Sequence, residues 1–148
     1  MILIHASCVA IDGIGVLIRG GSGAGKSDLA LRLIDGGAVL VADDYCEVIE
    51  EGDGLIATAP ALIAGKMEVR GFGVASVPFV PRAVVGLVVD LAPWAQIPRM
   101  PDATTCTLAG VTLSWVTVDP ATVSAAAKVR VVLGQSAVWQ RQRTARGA

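Results

Sequence analysis

Asparagine does not occur anywhere in this chain of 148 residues, which rules out the N-K-x-D element that a GTPase uses to read guanine. Histidine occurs once, as His5, and the three cysteines, Cys8, Cys46 and Cys106, show no CxxC spacing. No zinc site of familiar pattern can be assembled from that set. Thiols scattered through apolar segments read as reduced and buried, as in a cytoplasm. Charge is scarce as well: charged residues make up 17% of the chain and the net charge is −1, so the basic surface of a nucleic-acid binder is missing. The one basic cluster, Arg141, Arg143 and Arg146, reads as a solvated helix end. No apolar run reaches the ~18 residues of a membrane span. The start, Met1-Ile2-Leu3-Ile4-His5, lacks the basic stretch and cleavage site of a signal peptide. No repeat or low-complexity tract is present. The expectation is a cytoplasmic protein without nucleic-acid or membrane partners. It has one domain over 1–148, with 135–148 as a flexible tail.

What the chain does have is Gly20-Gly21-Ser22-Gly23-Ala24-Gly25-Lys26-Ser27, a match to G-x-x-x-x-G-K-[ST]. An apolar strand-like run, 14–18, leads in, and a helix-like run, 28–35, leads out. That context separates a phosphate-binding P-loop from a chance string. The glycines let successive backbone N–H groups point at phosphate oxygens, beside a helix N-terminus that favours anions. Lys26 is placed to lie along the β- and γ-phosphates, and the Ser27 hydroxyl to hold Mg²⁺. The chain is read as a binder of a nucleotide or polyphosphate.

Around this loop the pattern is rich in strands. Residues 2–11 read as one strand, turning at Asp12-Gly13 into a second, 14–19. After the helix, Gly36-Gly37 suit a left-handed C-cap. Residues 38–42 read as a buried strand able to lie beside the P-loop strand. Hairpins are expected around Gly52-Asp53-Gly54 and Ala109-Gly110, a strand and turn in 66–77, a buried strand at 84–91, and a long loop at 93–101. After Thr122 two signals compete: Ala125-Ala126-Ala127 favours helix, whereas Val129-Arg130-Val131-Val132-Leu133 favours strand. The fold class is α/β with a strand-rich mixed sheet around the P-loop. The regular alternation of strands and helices in a small-molecule kinase is absent.

A P-loop needs acidic partners. The strand at 38–42 ends in Asp43-Asp44, where ligands of α/β sheets bind. Because adjacent strand residues point to opposite faces, Asp43 is expected to face the phosphates and Asp44 to support it. Asp90 reads as an ordinary strand exit. Glu68, in Met67-Glu68-Val69-Arg70-Gly71-Phe72-Gly73-Val74, is a candidate metal ligand, with Arg70 beside it. His5, alone in an apolar strand, reads by itself as a core or edge residue.

Together these pieces resemble the catalytic domain of HPr kinase/phosphorylase. The match runs through His5-Ala6, Gly-Val-Leu-Ile-Arg-Gly into the P-loop, Leu-Val-Ala-Asp-Asp-Tyr, Ala59-Pro60, and Glu-Val-Arg-Gly-Phe-Gly-Val, which is similar to the family signature E-I-R-G-L-G-I. The resemblance implies a fold like that of phosphoenolpyruvate carboxykinase and ATP- and Mg²⁺-dependent phosphorylation of a serine on the phosphocarrier HPr. It also implies a homo-oligomer, a hexamer in this family. By position it implies Asp43 as the base, Lys26 stabilising the transferring phosphoryl group, Ser27 and Glu68 on Mg²⁺, and His5 in catalysis. Arg99 is the nearest match to a late family arginine. The chain resembles the short form found in some proteobacteria, without the family's N-terminal domain. Reverse phosphorolysis is not carried over, because the family's P-V-K-x-G-R-N segment is matched only by Ala126-Ala127-Lys128-Val129-Arg130. The alternative is a non-catalytic nucleotide sensor that binds an HPr-like partner.

Overall fold

In the computed structural model, which describes residues 1–147, all the strands of the chain form before its second α-helix. Strands β1 (Ile2–Ile4) and β2 (Ala6–Ile11) are separated by a bend at His5. The single strand expected over 2–11 is therefore two, and they pair differently. β2 lies antiparallel to β3 (Ile14–Arg19), with Ile11 opposite Ile14, across a turn that holds Asp12 at φ 50 and Gly13 at φ 81. β1 leaves that plane to pair with β5 (Cys46–Glu51).

Helix α1 (Lys26–Asp35) follows β3 through the glycine loop. Its buried residues Leu29, Ala30 and Leu33 recur at helical spacing and seat it on the sheet. It ends as expected: Gly37 sits at φ 113, its N–H donates to the Ile34 carbonyl, and that of Ala38 donates to the Leu33 carbonyl, which together make a Schellman stop.

Next come β4 (Val39–Ala42), β6 (Gly54–Thr58), the hairpin β7 (Lys66–Val69) and β8 (Gly73–Ser76), and the long β9 (Arg82–Leu91). A hairpin of β10 (Thr105–Leu108) and β11 (Val111–Val118) follows. The main sheet runs β1-β5-β6-β9-β3-β2-β4, with β11 also on β9 and β10 on β11. β9 is its axis, parallel to β3 on one edge. On the other edge it takes β6 near its start and β11, in parallel, toward its end. This is the strand-rich mixed α/β sheet that the pattern implied. One neighbour differs: β4 pairs with β2, not with the strand of the glycine loop.

Alternation along the strands divides the interior, with one irregularity: Gly15 pairs with Val85 but Val16 with Leu87, so a β-bulge at Gly86 shifts the phase of β9. Val16, Ile18, Leu87 and Val89 face the helices, whereas Leu17, Val85 and Val88 face a second core closed by the outer strands. The ambiguous segment after Thr122 is helix α2 (Ala125–Gln135). Val129 and Leu133, four apart, are buried against the sheet, so packing overrides the β-branched propensity. Residues 135–147 are no loose tail: α3 (Ala137–Ala145) starts at Ser136, whose side chain accepts from the Trp139 N–H. Ala148 lies outside the described residues. No helix among them is long and apolar enough to cross a membrane.

Candidate active site

The C-terminal ends of β3, β9 and β11 and the start of β2 meet at one edge of the sheet, and the glycine loop rises there. Residues 20–25 connect β3 to α1 with Gly23 at φ 78 and Gly25 at φ 105, values that L side chains rarely adopt. A Cβ at Gly20 would stand 2.9 Å from the Ala24 Cβ, and one at Gly25 would stand 3.2 Å from Pro120. The loop is thus closely packed at its two ends and is closed by the Ala24 N–H donating to the Gly21 carbonyl. Arg32 holds the backing in place by donating to the carbonyls of Pro120 and Thr122. Gly25 caps α1 without a side chain, so the first-turn amides of Lys26, Ser27 and Asp28 have no intrahelical partner.

All of the acidic residues singled out beside the loop arrive at it. A cleft of about 570 Å³ is lined by Ser22, Gly23, Gly25, Lys26 and Ser27 on one side and by Asp43, Asp44, Glu68 and Arg70 on the other. Lys26 is 4% exposed, with Nζ donating to the Gly21 carbonyl at 3.0 Å and lying 3.6 Å from Asp44 Oδ1.

The two aspartates differ from the expected division of labour. Asp43 is 8% exposed and already accepts three hydrogen bonds. Ser27 Oγ (2.6 Å) and Ser7 Oγ (3.1 Å) donate to its Oδ1, and the Glu68 N–H (3.0 Å) to its Oδ2. It fixes the glycine-loop serine and β7. Asp44 is the open one. Half exposed, it sits at φ 67 in a three-residue turn closed by the Tyr45 N–H on the Asp43 carbonyl at 2.8 Å. Its Oδ1 is 2.7 Å from His5 Nε2. Strand alternation does not apply, because β4 ends at Ala42 and the left-handed residue re-aims the chain.

Ser7 is a residue that sequence reasoning missed. Its hydroxyl donates to the Asp43 carboxylate and accepts the Asp44 N–H at 3.0 Å, joining both aspartates to β2. Its place two residues after His5, the spacing of side chains on one face of a strand, was the available signal. Arg99 does not join the site: it lies on the exposed loop before β10 and does not line the cleft. Residues 126–130 are in α2, with Lys128 Nζ 4.6 Å from the Trp94 ring centre and Arg130 donating to the Leu33 carbonyl. Asp90 is more than a strand exit. It accepts two hydrogen bonds from Arg19, each 2.8 Å, and one from Trp115 Nε1 at 2.7 Å. That contact pushes the Arg19 guanidinium above its usual range.

Residues 1–132 match the model of the HPr serine kinase C-terminal domain. The chain belongs to that family. It is 38% identical over 127 residues to the HPr kinase/phosphorylase of Limosilactobacillus reuteri, covering 78% of this chain and 40% of the relative. The protein of the same name from Exiguobacterium sibiricum is 50% identical over 74 residues, or 49% of this chain and 24% of the relative. The chain therefore spans less than half the length of these family members. The fold superposes on the HPr(Ser) kinase/phosphatase of Coxiella burnetii with a TM-score of 0.79 at 25% identity, over 100% of both chains. The α/β sheet agrees with that family.

The donor set suits Mg²⁺. Ser27, Asp43 and Glu68 all line the cleft and offer hard oxygens. Among the described residues no cluster of three or more His, Cys, Asp or Glu forms a metal cage. Mg²⁺ needs none, since it keeps waters and is held by one or two carboxylates together with substrate phosphates.

Proposed function

We propose that this chain transfers the γ-phosphoryl group of ATP to a serine of an HPr-like phosphocarrier protein. The observation that carries the reading is Asp44, held between His5 and Lys26 at the open side of a cleft whose other wall is the glycine loop. A nucleotide sensor needs the loop but not a carboxylate poised in this way, so the arrangement favours transfer over sensing.

Phosphoryl transfer depends on alignment and on neutralising charge more than on covalent chemistry. The loop amides and the α1 N-terminus bind the phosphates. Lys26 releases the Gly21 carbonyl and follows the transferring group. Asp44 accepts the proton of the attacking serine as its oxygen–phosphorus bond forms and the γ-phosphorus parts from the bridging oxygen, releasing ADP. Both of its contacts fall on Oδ1, which leaves Oδ2, among the described residues, to take that proton. With Asp44 ionised, His5 donates through Nε2 and fixes the carboxylate. Ser27, Asp43 and Glu68 would hold Mg²⁺, which would supply charge neutralisation at the phosphates. In this assignment Asp43, expected from sequence to be the base, serves the metal and the loop serine, and Arg70 lines the route by which the partner approaches.

We restrict the proposal to the kinase direction, because the segment matched to the phosphorolysis motif is engaged within α2 and against Trp94. Assembly as a homo-oligomer, a hexamer by resemblance, belongs to the same proposal and is checked by sedimentation. The function is tested by transfer from γ-labelled ATP with Mg²⁺ to an HPr-like protein, with Lys26→Ala as control. Label on a carrier serine, absent with the variant, is the expected result; tight ATP binding by the wild type without label would return the reading to a sensor.

A further inference from the structure

β1 contributes little to the core: Ile2 and Leu3 are exposed and the strand has three residues. What it does is set a register. Its antiparallel pairs with β5 are Ile2–Val48, Leu3–Glu47 and Ile4–Cys46, so the next pair along the ladder is His5 and Tyr45. The rings take up that relation, stacked with centroids 5.1 Å apart and planes 21° from parallel. Tyr45 also closes the Asp44 turn through its own N–H. One residue thus touches both members of the His5–Asp44 pair, by its ring and by its backbone.

We infer that Tyr45 is a positioning residue that holds the His5 imidazole edge-on to the Asp44 carboxylate. The inference rests on the reading of His5 and Asp44 given above. Several observations carry it. His5 lies in the bend between two strands with different partners, where β-ladder bonds do not fix its backbone on both sides. Its one hydrogen bond among the described residues is to Asp44, which restrains the ring's reach but not its tilt. Asp44 is in a left-handed turn, a conformation uncommon outside glycine though more open to aspartate than to most residues. Tyr45 is 47% exposed, so its ring is not placed there to fill the core. An aromatic face packed on the imidazole supplies the missing restraint and shields the His5–Asp44 contact on one side from water.

The chain contains one histidine and one tyrosine, which makes the test direct. Wild type, Tyr45→Phe and Tyr45→Leu are compared in two ways. The first is NMR of the single imidazole, where the stacked ring displaces the His5 ring-proton signals upfield and the Nε2 signal reports its bond to Asp44. The second is steady-state transfer from ATP to the carrier. Phe is expected to keep the His5 signals and the wild-type kcat. Leu is expected to move the signals toward those of a free imidazole and to lower kcat roughly 10- to 100-fold, as a misplacement of about 1 Å does, while KM for ATP stays within about twofold. Circular dichroism confirms that both variants fold. An Nε2 signal in Tyr45→Leu that still reports the bond to Asp44, a loss that Phe does not rescue, or a loss confined to KM would overturn the inference. If the wild type transfers no phosphate, the kinase reading has failed, and the NMR comparison still decides whether Tyr45 positions His5.

Discussion

Two adjacent aspartates share one cleft and one hydroxyl, Ser7, yet do different work. Asp43 is buried with both oxygens bonded; Asp44 is half exposed with one oxygen bonded. Asp44→Asn is therefore expected to leave folding and ATP affinity intact and to lower kcat by about 10²–10⁴, the range of a lost general base. Asp43→Asn offers one acceptor where two stood, and is expected to lose about 1–3 kcal/mol of stability in urea unfolding and to raise the Mg²⁺ requirement. The opposite split, with Asp43→Asn stable but inactive and Asp44→Asn active, would return the base to Asp43. Gly25→Ala is expected to weaken ATP binding at least tenfold by calorimetry. The methyl would press on Pro120, and the left-handed φ costs about 1–2 kcal/mol for an L residue. Affinity equal to wild type would show that the loop has room to spare. At this scale much was legible from sequence: the loop, Lys26, Ser27, Glu68 and His5 all meet. The unequal burial of the two aspartates was not. Strand alternation was extended one residue beyond the end of β4, and a left-handed turn is invisible in an Asp-Asp pair.

Among the elements, β3, the glycine loop and α1 were legible because glycine spacing, apolar runs and the Gly36-Gly37 stop are local signals. The place of β4 was not, since pairing order is decided by what the whole sheet buries. Helix α2 was obscured by its β-branched run, and α3 by charge that resembles a solvated end. The join between strands has its own test in Asp90. Asp90→Ala would leave Arg19 and the Trp115 indole without their acceptor at a site about one-third exposed. The expected cost, discounted for that exposure, is about 1–3 kcal/mol in urea unfolding. A double change, Arg19→Met with Asp90→Leu, should recover part of it; a larger loss in the double variant would contradict this account of the pair.

For the whole molecule, one sheet carries two cores, and the outer one holds Cys8 and Cys46, both free and fully buried. The hydrogen bond to Cys46 and then burial push the Cys8 thiol well above its ordinary value of 9.0. A raised folded value means that stability is intact below the unfolded thiol's pKa and falls as pH rises from there through the folded value. Urea unfolding is thus expected to show lower stability at pH 9.5 than at pH 7.5, with a smaller drop in Cys8→Ala; equal drops would locate the alkaline sensitivity elsewhere. The central claim is best tested by intact-mass and fragment analysis of an HPr-like protein incubated with ATP, Mg²⁺ and either wild type or Asp44→Asn, at ATP concentrations that saturate both. A single phosphoserine that forms with the wild type and at least a hundredfold more slowly with the variant is the expected result. Equal rates for the two, or no phosphoserine with a wild type that binds ATP, would contradict it.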